Sequence, residues 1–171
     1  IVVPLGSSDR SALAGGDTLR KAHKFREAIE AYEKAIDSGI SDAAILAEAE
    51  YNIGLSHTWL GEYDKAGAVF NRMLVTYKDN PNAVGYAEYC LAWIEVQKGK
   101  YKEAVARLER VRRESKITDS ELNASICFQL GRINSKYLRN SAASDAYFKI
   151  IRNKYPATKA AHHYFVTGVN E

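Results

Sequence analysis

Apolar and small residues recur along this chain at helical spacing, and they recur as a set. In KFREAIEAYEKAI (24–36), EYDKAGAVFNRML (62–74), KYKEAVARLERVR (100–112) and RNSAASDAYFKII (139–151), an alanine is followed four residues later by a bulky side chain. The aligned alanines are Ala28, Ala66, Ala104 and Ala143, in steps of 38, 38 and 39, and their partners are Tyr32, Phe70, Leu108 and Tyr147. An aromatic stands three residues before the alanine at Phe25, Tyr63 and Tyr101, where the fourth segment has Asn140. Twelve residues before each alanine a second small-residue column holds Gly16, Gly54, Ala92 and Gly131. Positions three and four apart share one face of an α-helix. Each segment therefore predicts a helix with one packed face, and the second column predicts a preceding helix in close contact with it.

Glycine inside a helix costs about 1 kcal/mol relative to alanine, so its return at Gly16, Gly54 and Gly131 calls for a packing reason. The short links His23-Lys24, Gly61-Glu62 and Gly99-Lys100 would turn the chain between antiparallel partners. Each unit is then a helical hairpin, and the fixed period predicts a stack of them. Ser41 is the expected N-cap of the helix at 42–54, and Asn80 that of the next first helix, with Pro81 in its first turn. Thr118 and Glu121 form a T-x-x-E capping box. After Pro156, ATKAAHHYFVTG reads as one more helix. Its Ala161, Tyr164 and Phe165 are suited to covering the end of the stack, or it opens a fifth, truncated unit.

These residues resemble the tetratricopeptide repeat, whose signature runs through a leucine-glycine pair, a tyrosine, a small residue, an aromatic, an alanine, a further aromatic and a late proline. The fullest unit carries Ile53-Gly54, Gly61, Tyr63, Ala66, Phe70 and Pro81. The others carry Gly16, Phe25, Ala28, Tyr32 and Ala35; Leu91, Ala92, Gly99, Tyr101 and Ala104; and Leu130, Gly131, Ala143, Tyr147 and Pro156. The period of 38 departs from the family's usual 34; four added residues are about one helical turn, which lengthens a helix without rotating its buried face. The resemblance implies an all-α fold, a right-handed α-solenoid of antiparallel helix hairpins with about four repeats plus a C-terminal helix. The expected organisation is an irregular segment at 1–8 and a repeat domain at 9–169. Its units fall at about 9–46, 47–84, 85–123 and 124–157, with a terminal helix at 158–169.

In that family the first helices line a concave groove that receives a peptide or a helix of another protein. The stripe pointing there would hold Tyr51, Leu55 and Thr58 in the second unit, Tyr86, Tyr89, Trp93 and Val96 in the third, and Phe128, Arg132 and Ser135 in the fourth. Aromatics of this kind anchor apolar side chains while their polar atoms hold a backbone; the alternative use of the stripe is packing inside the protein. Some relatives grip a C-terminal carboxylate with lysine, asparagine and arginine in the groove. The corresponding Leu13, Asp17, Tyr51, Leu55, Tyr89 and Trp93 cannot supply that charge pattern.

Composition changes this picture little. The 171 residues are 46% hydrophobic and 26% charged, with a net charge of +3, a globular balance that does not by itself demand nucleic acid. The stretch RLERVRRESK (107–116) is basic, but interspersed glutamates mark it as a solvated outer face. Cys90 and Cys127 sit in no CxxC pair and read as buried thiols. His57 reads as a packed side chain, and the adjacent His162 and His163 point about 100° apart, poorly placed for one metal. No phosphate loop or nucleophile motif appears. The expectation is a non-catalytic protein-binding module with no cofactor and no metal site, binding another protein. Self-assembly through the terminal helix is the alternative, and RNA binding a distant third. No apolar run reaches membrane-spanning length. The start, IVVPLGSSDRSALAGG, reads as a mature end or an excised boundary of a longer chain. Cytoplasm and bacterial periplasm or envelope both stay open; NKYPATKAAHHYF and TYKDNPNAVGYAEY resemble units of bacterial envelope proteins of the family.

Overall fold

The computed structural model describes residues 10–162. After a helical turn at 10–12 come α1 (Ala14–Lys21), α2 (Phe25–Asp37), α3 (Ala43–Trp59), α4 (Tyr63–Thr76), α5 (Pro81–Gln97), α6 (Tyr101–Glu114), α7 (Ser120–Lys136) and α8 (Ser141–Lys154). A further helical stretch begins at 159, and no strand occurs among the described residues. The segment expected to be irregular at 1–8, and Tyr164 and Phe165 of the expected terminal helix, lie outside the described residues. Two compact units divide the chain, 1–87 and 88–171, with the division between Ala87 and Glu88 inside α5. In the first unit α1 packs on α2, α2 on α3 and α3 on α4; in the second α6 packs on α7 and α7 on α8. The protein is all-α, built of consecutively packed helical hairpins.

The packing explains the glycine column. A Cβ added at Gly16 would lie 2.5 Å from Cε1 of Tyr32, one at Gly54 2.5 Å from Cε1 of Phe70, and one at Gly131 2.7 Å from Cζ of Phe148. Each glycine thus makes room for a ring on the second helix of its hairpin, and not for the alanine column as such. Tyr32 and Phe70 are fully buried, each contributing roughly 2–3 kcal/mol of hydrophobic stabilisation. Where the small residue is Ala92, the residue sixteen positions on is Leu108, aliphatic and also fully buried. A methyl group on one column is matched by the loss of a ring on the other.

The turns share one hydrogen-bond pattern. Lys24 N–H donates to Leu19 C=O at 2.9 Å, Glu62 to His57 at 2.9 Å and Lys100 to Glu95 at 2.8 Å. The residue before each donor has positive φ: His23 at 59°, Gly61 at 73° and Gly99 at 74°. This is the Schellman closure, in which one left-handed residue lets the last carbonyls of a helix find donors. The next helix then starts at Phe25, Tyr63 or Tyr101.

The fourth hairpin corrects the sequence alignment. Its turn is one residue longer: Leu138 N–H donates to Ile133 C=O at 3.1 Å, Arg139 carries the positive φ of 54°, and Asn140 N–H reaches back to Asn134 C=O at 2.8 Å. The second helix therefore starts at Ser141, and its fourth residue, Ser144, occupies the alanine column at 3% exposure. Phe148, rather than Tyr147, covers Gly131. Asn140, aligned by sequence with the aromatics, is the N-cap, accepting from Ala143 N–H at 3.1 Å.

Two caps also move by one residue. Asp42, not Ser41, caps α3, accepting from Ala44 and Ile45 N–H. Asp119, not Thr118, caps α7, accepting from Glu121 and Leu122 N–H. Glu121 then has another use: its carboxylate accepts from the N–H groups of Lys159 at 2.9 Å and Ala160 at 3.1 Å. It supplies an acceptor and a negative charge to the start of the next helix, where Thr158 Oγ1 accepts from Ala161 N–H at 3.2 Å. Ala161 is fully buried in a cluster with Cys127, Phe148 and Ile151. Asn80 caps α5 as expected, accepting from Ala83 N–H at 3.1 Å ahead of Pro81.

Candidate functional site

The stripe residues fall on first helices, and they differ in how far they face outward. In the first unit Tyr51 and Leu55 on α3 and Tyr86 on α5 are half-buried. The Tyr51 ring stands 5.0 Å from that of Tyr86, tilted by 54°, and 6.4 Å from Phe70. Tyr51 therefore rests on the core ring that Gly54 admits, and presents the rest of itself beside Tyr86. Thr58 is also half-buried, its hydroxyl donating to Gly54 C=O at 2.9 Å.

In the second unit Tyr89 and Trp93 on α5 are half-buried, Phe128 on α7 is half-buried and Arg132 is exposed. Arg132 holds its guanidinium over the Phe128 ring, 5.8 Å from the centroid, a cation–π approach. Phe128 meets Phe148 edge to face at 6.0 Å, so one side of it belongs to the core. Burial pushes the Tyr89 hydroxyl up to about 12; the Cys90 thiolate, were it to form, acts in the same direction, while the positive charge of Arg132 opposes both. Tyr89 is thus a neutral hydrogen-bond donor beside an arginine. Val96 departs from the expectation: it is 8% exposed, because it stands about 60° round the helix from Trp93, toward the packed Ala92.

The basic segment of α6 is not simply a solvated face. Arg107 pairs with Glu88 and with Glu95, the latter through Nη2 at 2.7 Å and Nε at 2.9 Å, and Arg110 pairs with Glu88 at 2.9 Å. Glu88 is 7% exposed, so these arginines neutralise a buried carboxylate that would otherwise be strongly destabilising. Arg112 lies 5.5 Å over the Tyr147 ring, and the Tyr147 hydroxyl donates to Glu109 at 2.5 Å. Arg113 keeps the expected exposed position, beside Glu114. His57 is packed, with Nδ1 2.7 Å from a Glu62 carboxylate oxygen. That hydrogen bond is the main reason Glu62 is held below the usual carboxylate range, with Lys65 and Arg26 adding to it against the opposing effect of burial. Cys90 and Cys127 are buried thiols that form no disulfide, and burial pushes the Cys127 thiol up. His163 lies outside the described residues.

Phe25 and Tyr101, already in the aromatic column of the sequence, meet partners that the sequence reading did not include, Trp59 and Tyr137, at the turn edge of the hairpins. Trp59 is 65% exposed and stacks on Phe25 at 6.2 Å; Tyr101 and Tyr137 stack at 4.1 Å, with Lys136 5.9 Å over the Tyr137 ring. Phe25 and Tyr101 each open a second helix, and Trp59 and Tyr137 each stand four residues before one. That recurrence was the available signal.

Residues 13–81 match the sequence model of a family described as Tetratricopeptide repeat. No curated protein matches the chain. The matched residues span the Gly16–Tyr32 and Gly54–Phe70 hairpins, which are thus tetratricopeptide repeats, and the same packing returns at Gly131–Phe148. Such repeats are generally protein–protein interaction modules and are generally non-catalytic. Among the described residues no helix is long and apolar enough to cross a membrane.

Proposed function

We propose that this protein is a non-catalytic docking module that takes a peptide or helical segment of another protein on the outward faces of its first helices. The carrying observation is the type and exposure of what stands there. Tyr51 with Tyr86 in the first unit, and Tyr89, Trp93 and Phe128 in the second, keep part of each ring outside the core. Large amphipathic rings on rigid helices are the residues that dominate protein-binding energetics, because they bury much area at little conformational cost. Leu55 and Arg132 complete the two faces.

The test is selection of binders from a random-peptide phage library on the intact protein, followed by measurement of a recovered peptide against Trp93→Ala and Tyr89→Ala. Each substitution is expected to weaken binding by about tenfold or more with unchanged far-UV circular dichroism. Retained affinity in both variants and in Tyr51→Ala would overturn the assignment. A second reading is self-assembly through the terminal segment that the sequence places at 158–169, whose Ala160 and Ala161 are buried within the protein. Light scattering across concentration decides it: a monomer at all concentrations removes it.

A further inference from the structure

The two units carry opposite charge. Residues 88–171 hold fifteen basic and nine acidic residues, a net +6, while residues 1–87 have a net −3. On the first helices of the second unit the carboxylates are already engaged within the protein. Glu88 is held by Arg107 and Arg110, Glu95 by Arg107, and Glu121 by the backbone N–H groups of Lys159 and Ala160. Arg132 is exposed and pairs with no carboxylate among the described residues; its contact is the Phe128 ring. The Arg132 fork and the Tyr89 hydroxyl are donors without a negative charge beside them, and Trp93 and Phe128 supply apolar surface next to those donors.

We propose that the segment docked on the second unit is acidic, with an aspartate or glutamate received by Arg132 and Tyr89 beside an aromatic or aliphatic anchor on Trp93 and Phe128. This rests on the docking reading above and adds the chemistry of the partner. A planar guanidinium pre-oriented by a ring matches a carboxylate with two parallel N–H donors. Charge complementarity also steers encounter toward an acidic chain. A polyphosphate chain fits less well, since its affinity grows with the number of phosphates neutralised, and α7 offers only Arg132 and Lys136 as basic side chains.

The experiment uses peptides recovered from the random-peptide library on the full chain, each made also as its amide analogue with Asp and Glu replaced by Asn and Gln. The recovered set is expected to be enriched in acidic residues flanking an apolar one. The amide analogues should bind about tenfold to a hundredfold more weakly, and Arg132→Gln should erase most of that difference while preserving the fold by circular dichroism. Recovered peptides without acidic enrichment, or equal binding of acidic and amide forms, would overturn this inference and leave the docking reading standing. Failure to recover any binder would overturn both. A single-stranded RNA oligonucleotide that binds in a manner lost with Arg132→Gln, while the acidic peptides do not bind, would overturn it in favour of nucleic acid.

Discussion

Replacing Gly54 by alanine tests the packing rule that generates the repeat. The new methyl would lie 2.5 Å from Cε1 and 2.6 Å from Cζ of Phe70, against an ordinary carbon–carbon contact of about 3.5–4 Å. Phe70 is fully buried, so its ring has to move about 1 Å into filled space. Overpacking of this kind costs about 1–3 kcal/mol, partly offset by the roughly 1 kcal/mol gained in helix propensity. The net destabilisation is about 0–2 kcal/mol. Phe70→Leu alone leaves space where the ring was, at about 1–2 kcal/mol. The double variant rebuilds the combination already present at Ala92 and Leu108, where a methyl replaces ring volume. It should lie within about 1 kcal/mol of wild type, a favourable coupling of roughly 1–2 kcal/mol. Urea melts followed by far-UV circular dichroism on the four proteins of the cycle measure this directly. Additivity within about 0.5 kcal/mol would refute the claim that the two columns are set against each other.

Gly99 holds the left-handed turn position at φ 74°, so Gly99→Ala should destabilise by about 1 kcal/mol, while Arg139→Gly, at φ 54°, should be neutral or stabilising in the same melts. Glu121→Ala removes the acceptor for Lys159 and Ala160 N–H and should cost about 0.5–2 kcal/mol, with faster hydrogen exchange confined first to the amides around 159–162. Tyr32 is pushed up to about 12, chiefly by burial and then by its hydrogen bond to Asp17. The folded state therefore binds its proton more tightly than the unfolded state, and stability present in full below pH 10 should fall between about pH 10 and 12. Tyr32→Phe should flatten that limb in melts run against pH. Glu62 is held low chiefly by His57, so its contribution is present above its ordinary value of 4.5 and lost as pH falls below it. Glu62→Gln should reduce the loss of stability on acidification.

The period and the hairpins were legible because packing writes itself into residue size. A close crossing accepts only glycine or alanine, and the ring or aliphatic chain that covers it must follow at a fixed distance, as at Gly16 and Tyr32. The fourth hairpin misaligned because its turn gained a residue, and Arg139 took the left-handed position that Gly61 and Gly99 mark in two of the other turns, leaving no sign of the shift. Ser41 beside Asp42, and Thr118 beside Asp119, are adjacent pairs of competent caps, and only backbone geometry chooses between them. Trp93 and Val96 share a helical stripe in sequence, yet the neighbouring packed column covers Val96. The clasp of Arg107 and Arg110 on Glu88 joins two helices through long side chains, and a run of arginines does not disclose which carboxylate it will meet. Phe25 with Trp59 was readable in principle, since Tyr101 with Tyr137 repeats it, but each ring lies at a helix end and outside any stripe.

Partner contact on the first-helix faces is open to direct measurement. Nuclear magnetic resonance of isotope-labelled protein, titrated with a library-selected peptide, tests it residue by residue. The largest shifts should fall on Tyr89, Trp93, Phe128 and Arg132, or on Tyr51, Leu55 and Tyr86. Shifts confined to the exposed positions of α2, α4, α6 and α8, or to the turn edge around Trp59, would contradict it.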